Sequence, residues 1–302
     1  MKVVLTGASG LLGPALAESW RADGHDVVRL VRRSPAASDE ARWDPARGTV
    51  DTDAVRGAGV VVHLAGAGLG DRPWTPHHRR TVLDSRVQGT TTIARAVADA
   101  GVPILLSASG VGYYGNPGDT VVDESAPAGT TYISEIAQRW ETGTSAARQA
   151  GSRVVNLRTA VVLSAKGGAY GRRLLPIFRL GVGGRLGSGR QWWSWVTLAD
   201  YVRAVRFLAD REDISGPVNV AAPQPLTNAD MTAAMGRVLH RPTLTRVPGF
   251  ALRLPLRDFA EDLLGGQRVV PRRLLDAGFT FRDPEFEPAL RRVLADRGGG
   301  TS

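Results

Sequence analysis

The sequence predicts an α/β fold in which a doubly wound, mainly parallel sheet is followed by a smaller C-terminal lobe. Three observations predict it. An apolar run at the extreme N-terminus leads directly into a glycine turn; apolar runs and amphipathic stretches alternate through the first half; and from about Gly167 this alternation gives way to glycine-rich loops and short elements.

The elements follow in order. Val3–Thr6 reads as a buried strand, and Leu11–Asp23 as the helix after its turn. Val27–Val31, Val60–Ala65, Ile104–Ser107 and Val154–Leu157 are further continuous apolar runs, the pattern of parallel strands covered on both faces. Helices are expected at Pro76–Ala100 and Thr131–Ala150, each bounded by Gly, Pro or a capping residue. The second half offers helices around Leu174–Leu180, Leu198–Ala209, Asn228–Leu239, Pro271–Ala277 and Pro284–Ala295, with a strand at Val218–Val220. Residues 1–166 and 194–222 are assigned to the sheet domain and 167–193 and 223–302 to the smaller, substrate-binding lobe, with a disordered tail expected from Arg297 to Ser302.

Composition narrows the function classes. Of 302 residues 43% are hydrophobic and 22% charged, which fits a globular chain, and no run approaches the ~20 apolar residues of a membrane span. The first residues already read as a strand, leaving no room for a signal peptide, so a cytoplasmic location is expected. The absence of cysteine removes disulfides, thiolate nucleophiles and cysteine-ligated zinc. The five histidines lack metal-site spacing, no metal is expected, and no G-x-S-x-G elbow marks a hydrolase. The net charge of +9 is spread along the chain as arginine, with only Lys2 and Lys166 as lysines, so neither nucleic acid nor membrane is an expected partner. A small-molecule substrate is, and a homodimer is the assembly considered.

Chemistry begins at Thr6-Gly7-Ala8-Ser9-Gly10-Leu11-Leu12-Gly13. Glycines spaced G-x-x-G-x-x-G between a strand and a helix let backbone amides meet a pyrophosphate, which makes the fold Rossmann-type and the ligand a dinucleotide. Gly7, Ser9, Gly10, Leu11 and Gly13 are the expected contacts. After the second strand, where an acid would favour NAD(H), stand Arg32, Arg33 and Ser34. Arg32, with Arg33 or Ser34 assisting, is expected to meet a 2′-phosphate, so NADP(H) is expected over NAD(H).

These residues resemble the extended or atypical short-chain dehydrogenase/reductase superfamily. Val62-His63-Leu64-Ala65-Gly66 is similar to the segment that lies along the adenine and ribose, and Ser107-Ala108-Ser109 with Gly112-Tyr113-Tyr114-Gly115 to the superfamily's serine and tyrosine-glycine segment. Asp71-Arg72-Pro73-Trp74-Thr75, Ser85-Arg86-Val87-Gln88-Gly89-Thr90, Gly187-Ser188-Gly189-Arg190-Gln191-Trp192 and Gly266-Gln267-Arg268-Val269 are similar to one branch, the "epimerase family" proteins, sometimes labelled cell-division-inhibitor-like. The resemblance implies cofactor contacts at Leu64, Ala65, Gly66 and Ser107; Arg86 stands where relatives with epimerase activity usually carry an asparagine, and is read as a contact to cofactor phosphate or substrate, or as a solvated helix residue. The resemblance also implies a tyrosine acid–base group with a lysine four residues on, and a serine that orients the substrate.

Here the chain departs from the pattern: Tyr132 fills the tyrosine position, but Ile136 stands where the lysine belongs. A tyrosine of pKa near 10 without a neighbouring cation is a poor base at neutral pH. Three readings stay open. Tyr132 and Ser109 act as neutral hydrogen-bond donors to a carbonyl, with the nicotinamide or an arginine supplying the positive field; Tyr113 or Tyr114 is the catalytic group; or the protein binds NADP(H) as a regulator or sensor without turnover. Arg190, Trp192 and Trp193 are the candidate substrate contacts, suited to gripping an anion and stacking on a ring. Asp200 reads as a capping or structural acid.

Overall fold

A computed structural model of the chain describes residues 1–251 and 259–296; the expected tail at Arg297–Ser302 lies outside the described residues. The strands β1 (Lys2–Thr6), β2 (Asp26–Val31), β3 (Glu40–Asp44), β4 (Thr49–Val50), β5 (Ala58–His63) and β6 (Ile104–Gly110) join Arg153–Thr159 and Gly216–Val220 in one eight-stranded sheet. Its order is Gly216–Val220, Arg153–Thr159, β6, β5, β1, β2, β3, β4. β1 lies between β2 and β5 with both pairings parallel; β2–β3 and β5–β6 are parallel as well, and the short β4 runs antiparallel to β3. The chain therefore turns back at β1, and the space beyond the carboxyl ends of β1 and β5 is where such a sheet takes its ligand.

The residues group into two compact units. The first comprises 1–109, 136–157 and 202–218 and the second 110–135, 158–201 and 219–302, a grouping by contact whose boundaries differ from those assigned by sequence. In the first unit, α3 (Pro76–Asp99) and the helix Ser145–Gln149 cover one sheet face, where Val4, Val61, Leu105 and Val154 pack with Ile93, Val97 and Ala147. The alternate residues Val3, Leu5, Val60 and Val62 are equally buried, as are Leu16 and Trp20 of α1 (Leu12–Ala22), which packs on β1 and β2. In the second unit a separate core gathers Leu163, Tyr170, Phe178, Trp195, Met231, Met235, Phe286 and Leu290.

Where the elements differ from the sequence reading, local chemistry explains it. β5 ends at His63 because the amides of Leu64 and Ala65 bond to the Thr6 hydroxyl instead of a neighbouring strand. The helix expected over Thr131–Ala150 breaks into α4 (Tyr132–Thr142) and Ser145–Gln149. Gly143 makes the break: a Cβ there would come within 3.2 Å of Thr90 on α3, so the glycine lets the two segments approach. The hairpin of β3 and β4 has too few apolar residues to announce itself as strands.

Candidate functional site

The glycine loop divides its three glycines by purpose. Gly7 has φ of +70°, and a Cβ on it would lie 2.8 Å from the Leu64 carbonyl carbon. A Cβ on Gly13 would lie 2.6 Å from Ala8 Cα and from the Gly7 oxygen. Both are glycine because the protein itself leaves no room. Gly10 differs: its amide closes the turn on the Gly7 carbonyl at 3.1 Å, and a Cβ would meet only that oxygen, at 3.4 Å. Neither packing nor a positive φ requires a bare backbone at Gly10. Ser9 and Gly10 are exposed, and α1 begins at Leu12, after an N-cap residue, Leu11, that offers no side-chain cap, and with no acid in its first turn. Its first amides are thus left for an anion. These features fit a dinucleotide pyrophosphate.

Behind the loop, Thr6, His63 and Ser107 form one row across β1, β5 and β6 by strand register. Thr6 Oγ1 accepts from Leu64 N at 3.0 Å and Ala65 N at 3.2 Å and pairs with His63 Nδ1 at 2.8 Å, which fixes the segment Leu64-Ala65 against Gly7. Burial lowers the His63 pKa to about 3, so the ring is neutral. His63 Nε2, Ser107 Oγ, Thr90 Oγ1 and Trp140 Nε1 are buried without a hydrogen-bond partner. Such a concentration of unsatisfied groups around the sheet end and α3 calls for bound water or ligand.

Arg86, on α3, is buried, and its guanidinium lies 4.7 Å over the Trp140 ring. It donates to the carbonyls of Ala67 at 2.8 Å and Val82 at 3.2 Å and faces no carboxylate among the described residues. Burial lowers its pKa to about 10, which leaves it charged at neutral pH. Gly66 lies against the same side chain, its Cβ position 3.5 Å from Arg86 Cζ. Arg32 is exposed and makes no ion pair among the described residues. Arg33 is committed to Glu40 by two bonds of 2.7 and 2.6 Å, which hold the Glu40 carboxyl down to about 2, so of the two arginines only Arg33 is held by a carboxylate among the described residues. At the end of β6, Ser109 is buried and donates to Glu141 Oε1 on α4 at 2.8 Å. Ile136 is 2% exposed and brings no charge to α4.

The tyrosine candidates belong to the second unit and separate clearly. Tyr114 is buried, donates to Asn219 Oδ1 at 2.7 Å and accepts from Arg158 at 3.0 Å, and burial pushes its pKa up to about 12. The hydroxyl is thus engaged at both its donor and an acceptor position. Tyr113 keeps a half-buried ring with the Arg158 guanidinium 3.4 Å from its centroid. Tyr132 is half-buried at the first position of α4, and the Ser134 hydroxyl two residues on anchors that turn by donating to the carbonyls of Tyr113 and Gly129, both at 2.7 Å.

In the same unit Arg190 is exposed, and Trp192 donates to Asp119 at 2.8 Å beneath the Arg268 guanidinium. Trp193 packs against the core that contains Trp195. Asp200 is structural, its carboxylate accepting from the amides of Arg282 and Asp283, while Thr197 caps the helix Leu198–Asp210. Sequence reasoning missed His63 as a partner of Thr6, Glu141 as a partner of Ser109, and Glu40 as the holder of Arg33. Among the described residues no helix is long and apolar enough to cross a membrane, and no group of three or more His, Asp or Glu could hold a metal ion.

Comparison with known proteins adds the lineage. Residues 3–221 match the model of the NAD dependent epimerase/dehydratase family, and residues 247–293 match a domain of unknown function, DUF1731. The chain is 46% identical over 289 residues to Epimerase family protein Mb2239 of Mycobacterium bovis, covering 95% of this chain and 96% of that protein. It resembles the crystal structure of human epimerase family protein SDR39U1 (isoform2) with NADPH, with a TM-score of 0.88 and 31% identity over 98% of this chain and 100% of that one. It also resembles a nucleoside-diphosphate sugar epimerase from Corynebacterium glutamicum, with a TM-score of 0.80 and 33% identity, covering 97% of this chain and 58% of that longer one.

Proposed function

Because the chain belongs to the NAD dependent epimerase/dehydratase family, we propose that it is an NADP(H)-dependent oxidoreductase or epimerase-like enzyme acting on a small or sugar-like carbonyl or hydroxyl compound. The observation that carries this reading is Gly10, bare where the fold does not require it, at the open N-terminus of α1. Gly7, Ser9, Gly10, Leu11 and Gly13 hold the pyrophosphate, Leu64, Ala65 and Gly66 lie along the nucleoside, and Arg86 supplies a fixed positive charge beside them. Arg32 takes the 2′-phosphate, consistent with the NADPH named for the human relative. Bound there, the nicotinamide supplies reversible hydride exchange. Ser109, at the carboxyl edge of β6, holds the substrate oxygen, and Tyr132 fills the family's tyrosine position.

A second reading is favoured by Ile136: a buried aliphatic residue in the lysine position suits a protein that binds NADP(H) as a regulator or sensor without turnover. Titration with NADPH and NADH, followed by nicotinamide fluorescence, tests what the two readings share, and failure of both nucleotides to bind below millimolar concentration removes both. A panel of carbonyl compounds monitored by NADPH consumption then separates them. Turnover that falls in Ser109→Ala and Tyr132→Phe supports the enzyme; tight binding without turnover across the panel supports the sensor.

A further inference from the structure

The Ser109 hydroxyl has one proton, and it points at Glu141 Oε1, 2.8 Å away. In that state the serine cannot also donate to a carbonyl; its lone pairs suit an incoming hydroxyl. Protonating Glu141 reverses the bond. The carboxylic acid then donates to Ser109 Oγ, and the serine proton is released toward whatever oxygen lies beyond it. The charge state of Glu141 therefore selects which substrate form Ser109 can hold. Both residues lie in the same compact unit, Ser109 at the carboxyl end of β6 and Glu141 in the last turn of α4, the helix whose lysine position is occupied by the buried Ile136.

We propose that Glu141 is the proton reservoir of this site, positioned to act through the Ser109 hydroxyl in place of the missing lysine-assisted tyrosine. The proposal rests on the oxidoreductase reading above. In the reducing direction the carbonyl oxygen takes the Ser109 proton as the Glu141 proton moves to Ser109 Oγ, and the carbonyl carbon receives its hydride from the reduced dinucleotide. One proton and one hydride are added, and Glu141 is left as a carboxylate. In the oxidising direction the substrate hydroxyl gives its proton to Ser109 Oγ, and the serine proton passes to Glu141. Ser109 touches the substrate oxygen; Glu141 sets and replaces its proton.

The proposal puts the Glu141 carboxylate within electrostatic reach of the nicotinamide, where it would favour the cationic oxidised form over the neutral reduced one, and this provides a test by binding alone. Calorimetry of the full-length protein at pH 8 should show Glu141→Gln weakening NADP+ by about tenfold while NADPH stays within about twofold. Glu141→Asp should restore part of the difference. Melting curves establish that each variant is folded. Equal weakening of both nucleotides, or no weakening of either, overturns the proposal, because a merely structural carboxylate does not distinguish the two redox forms. Where a carbonyl of the panel is turned over, Glu141→Gln should also lower kcat at least about tenfold without raising the KM for NADPH; an unchanged kcat overturns the relay. The two readings fail differently. If wild-type protein binds neither nucleotide, the dinucleotide reading itself falls and takes the relay with it; if both bind without redox discrimination in Glu141→Gln, only the relay falls.

Discussion

Thr6 Oγ1 and His63 Nδ1 lie 2.8 Å apart in the buried row behind the glycine loop. Since the Thr6 oxygen already accepts two amide protons, its own proton points at Nδ1, and the imidazole carries its hydrogen on Nε2. Burial makes a second proton costly, which places the His63 pKa at about 3. The sign for stability follows. The unfolded chain takes up a proton near pH 6.5 and the folded one does not until about pH 3, so the stabilisation is full above pH 6.5 and is lost as the pH falls toward 3. The loss reaches on the order of 5 kcal/mol. Denaturant melts of wild type and His63→Asn from pH 7 to 4.5 should show the wild type losing stability and the variant changing little. Above pH 4.5 this loss is separable from that of carboxylates such as Glu40, whose pKa falls from 4.5 to about 2 through the Arg33 hydrogen bonds. Parallel slopes for the two proteins would refute the neutral, buried histidine.

The glycines predict opposite outcomes within one loop. Gly10→Ala places its Cβ at ordinary contact distance, so its melting midpoint should stay within about two degrees of wild type while NADPH affinity falls at least about tenfold, as a methyl group now stands where the phosphate approaches. Gly13→Ala collides with Ala8 and Gly7 and should cost about 1–3 kcal/mol of stability. Thermal melts with fluorescence titration of NADPH check both. A Gly10→Ala protein that binds normally would mean that no ligand backbone contact is made at that position.

The difference between what sequence shows and what it hides follows from chain separation. Gly7, Gly10 and Gly13 were legible because their meaning is local: a turn, a close approach and a helix start within a few residues. The apolar strands were legible because a strand covered on both faces has no polar alternation to obscure it. Thr6 and His63 are 57 residues apart, and their pairing exists only through the register of β1 on β5. Ser109 and Glu141 are 32 apart, and their bond exists only because the fold brings the last turn of α4 to the end of β6. Tyr114 looked like a free hydroxyl beside a ligand-facing strand end; only its partner Asn219, 105 residues on, shows it to be part of the core. Arg33 read as an assistant to Arg32, and only β3 brings Glu40 beside it.

That last difference predicts a selectivity pattern. With Arg33 held by Glu40, Arg32 carries the contact to a 2′-phosphate. Arg32→Ala should therefore weaken NADPH by at least about tenfold and NADH by no more than about twofold, the loss expected for one charge-assisted phosphate contact. Arg33→Ala should affect the two nucleotides alike. Titrations of both variants with both nucleotides decide it, and equal losses in Arg32→Ala would remove the assignment of NADP(H) preference to that residue.

Arg86 offers a final prediction, in which stability and binding move apart. A guanidinium that is buried, faces no carboxylate and has its pKa lowered to about 10 by burial retains a charge that the apo protein does not compensate. Its two carbonyl bonds and its place over Trp140 offset part of that desolvation, as hydrogen bonds to a charged group and a cation–π contact do. Replacing it with methionine, similar in length and uncharged, removes the desolvation cost while keeping most of the packing against Trp140. Arg86→Met should thus melt no lower than wild type in the absence of nucleotide. The same change removes the fixed positive charge beside Gly66, so NADPH affinity should fall at least about tenfold, and the stabilisation conferred by saturating NADPH should shrink accordingly. Scanning fluorimetry with and without NADPH reads both effects in one experiment. A variant that melts well below wild type yet gains its full shift on adding NADPH would identify Arg86 as a structural pillar of α3 rather than a charge held ready for a ligand.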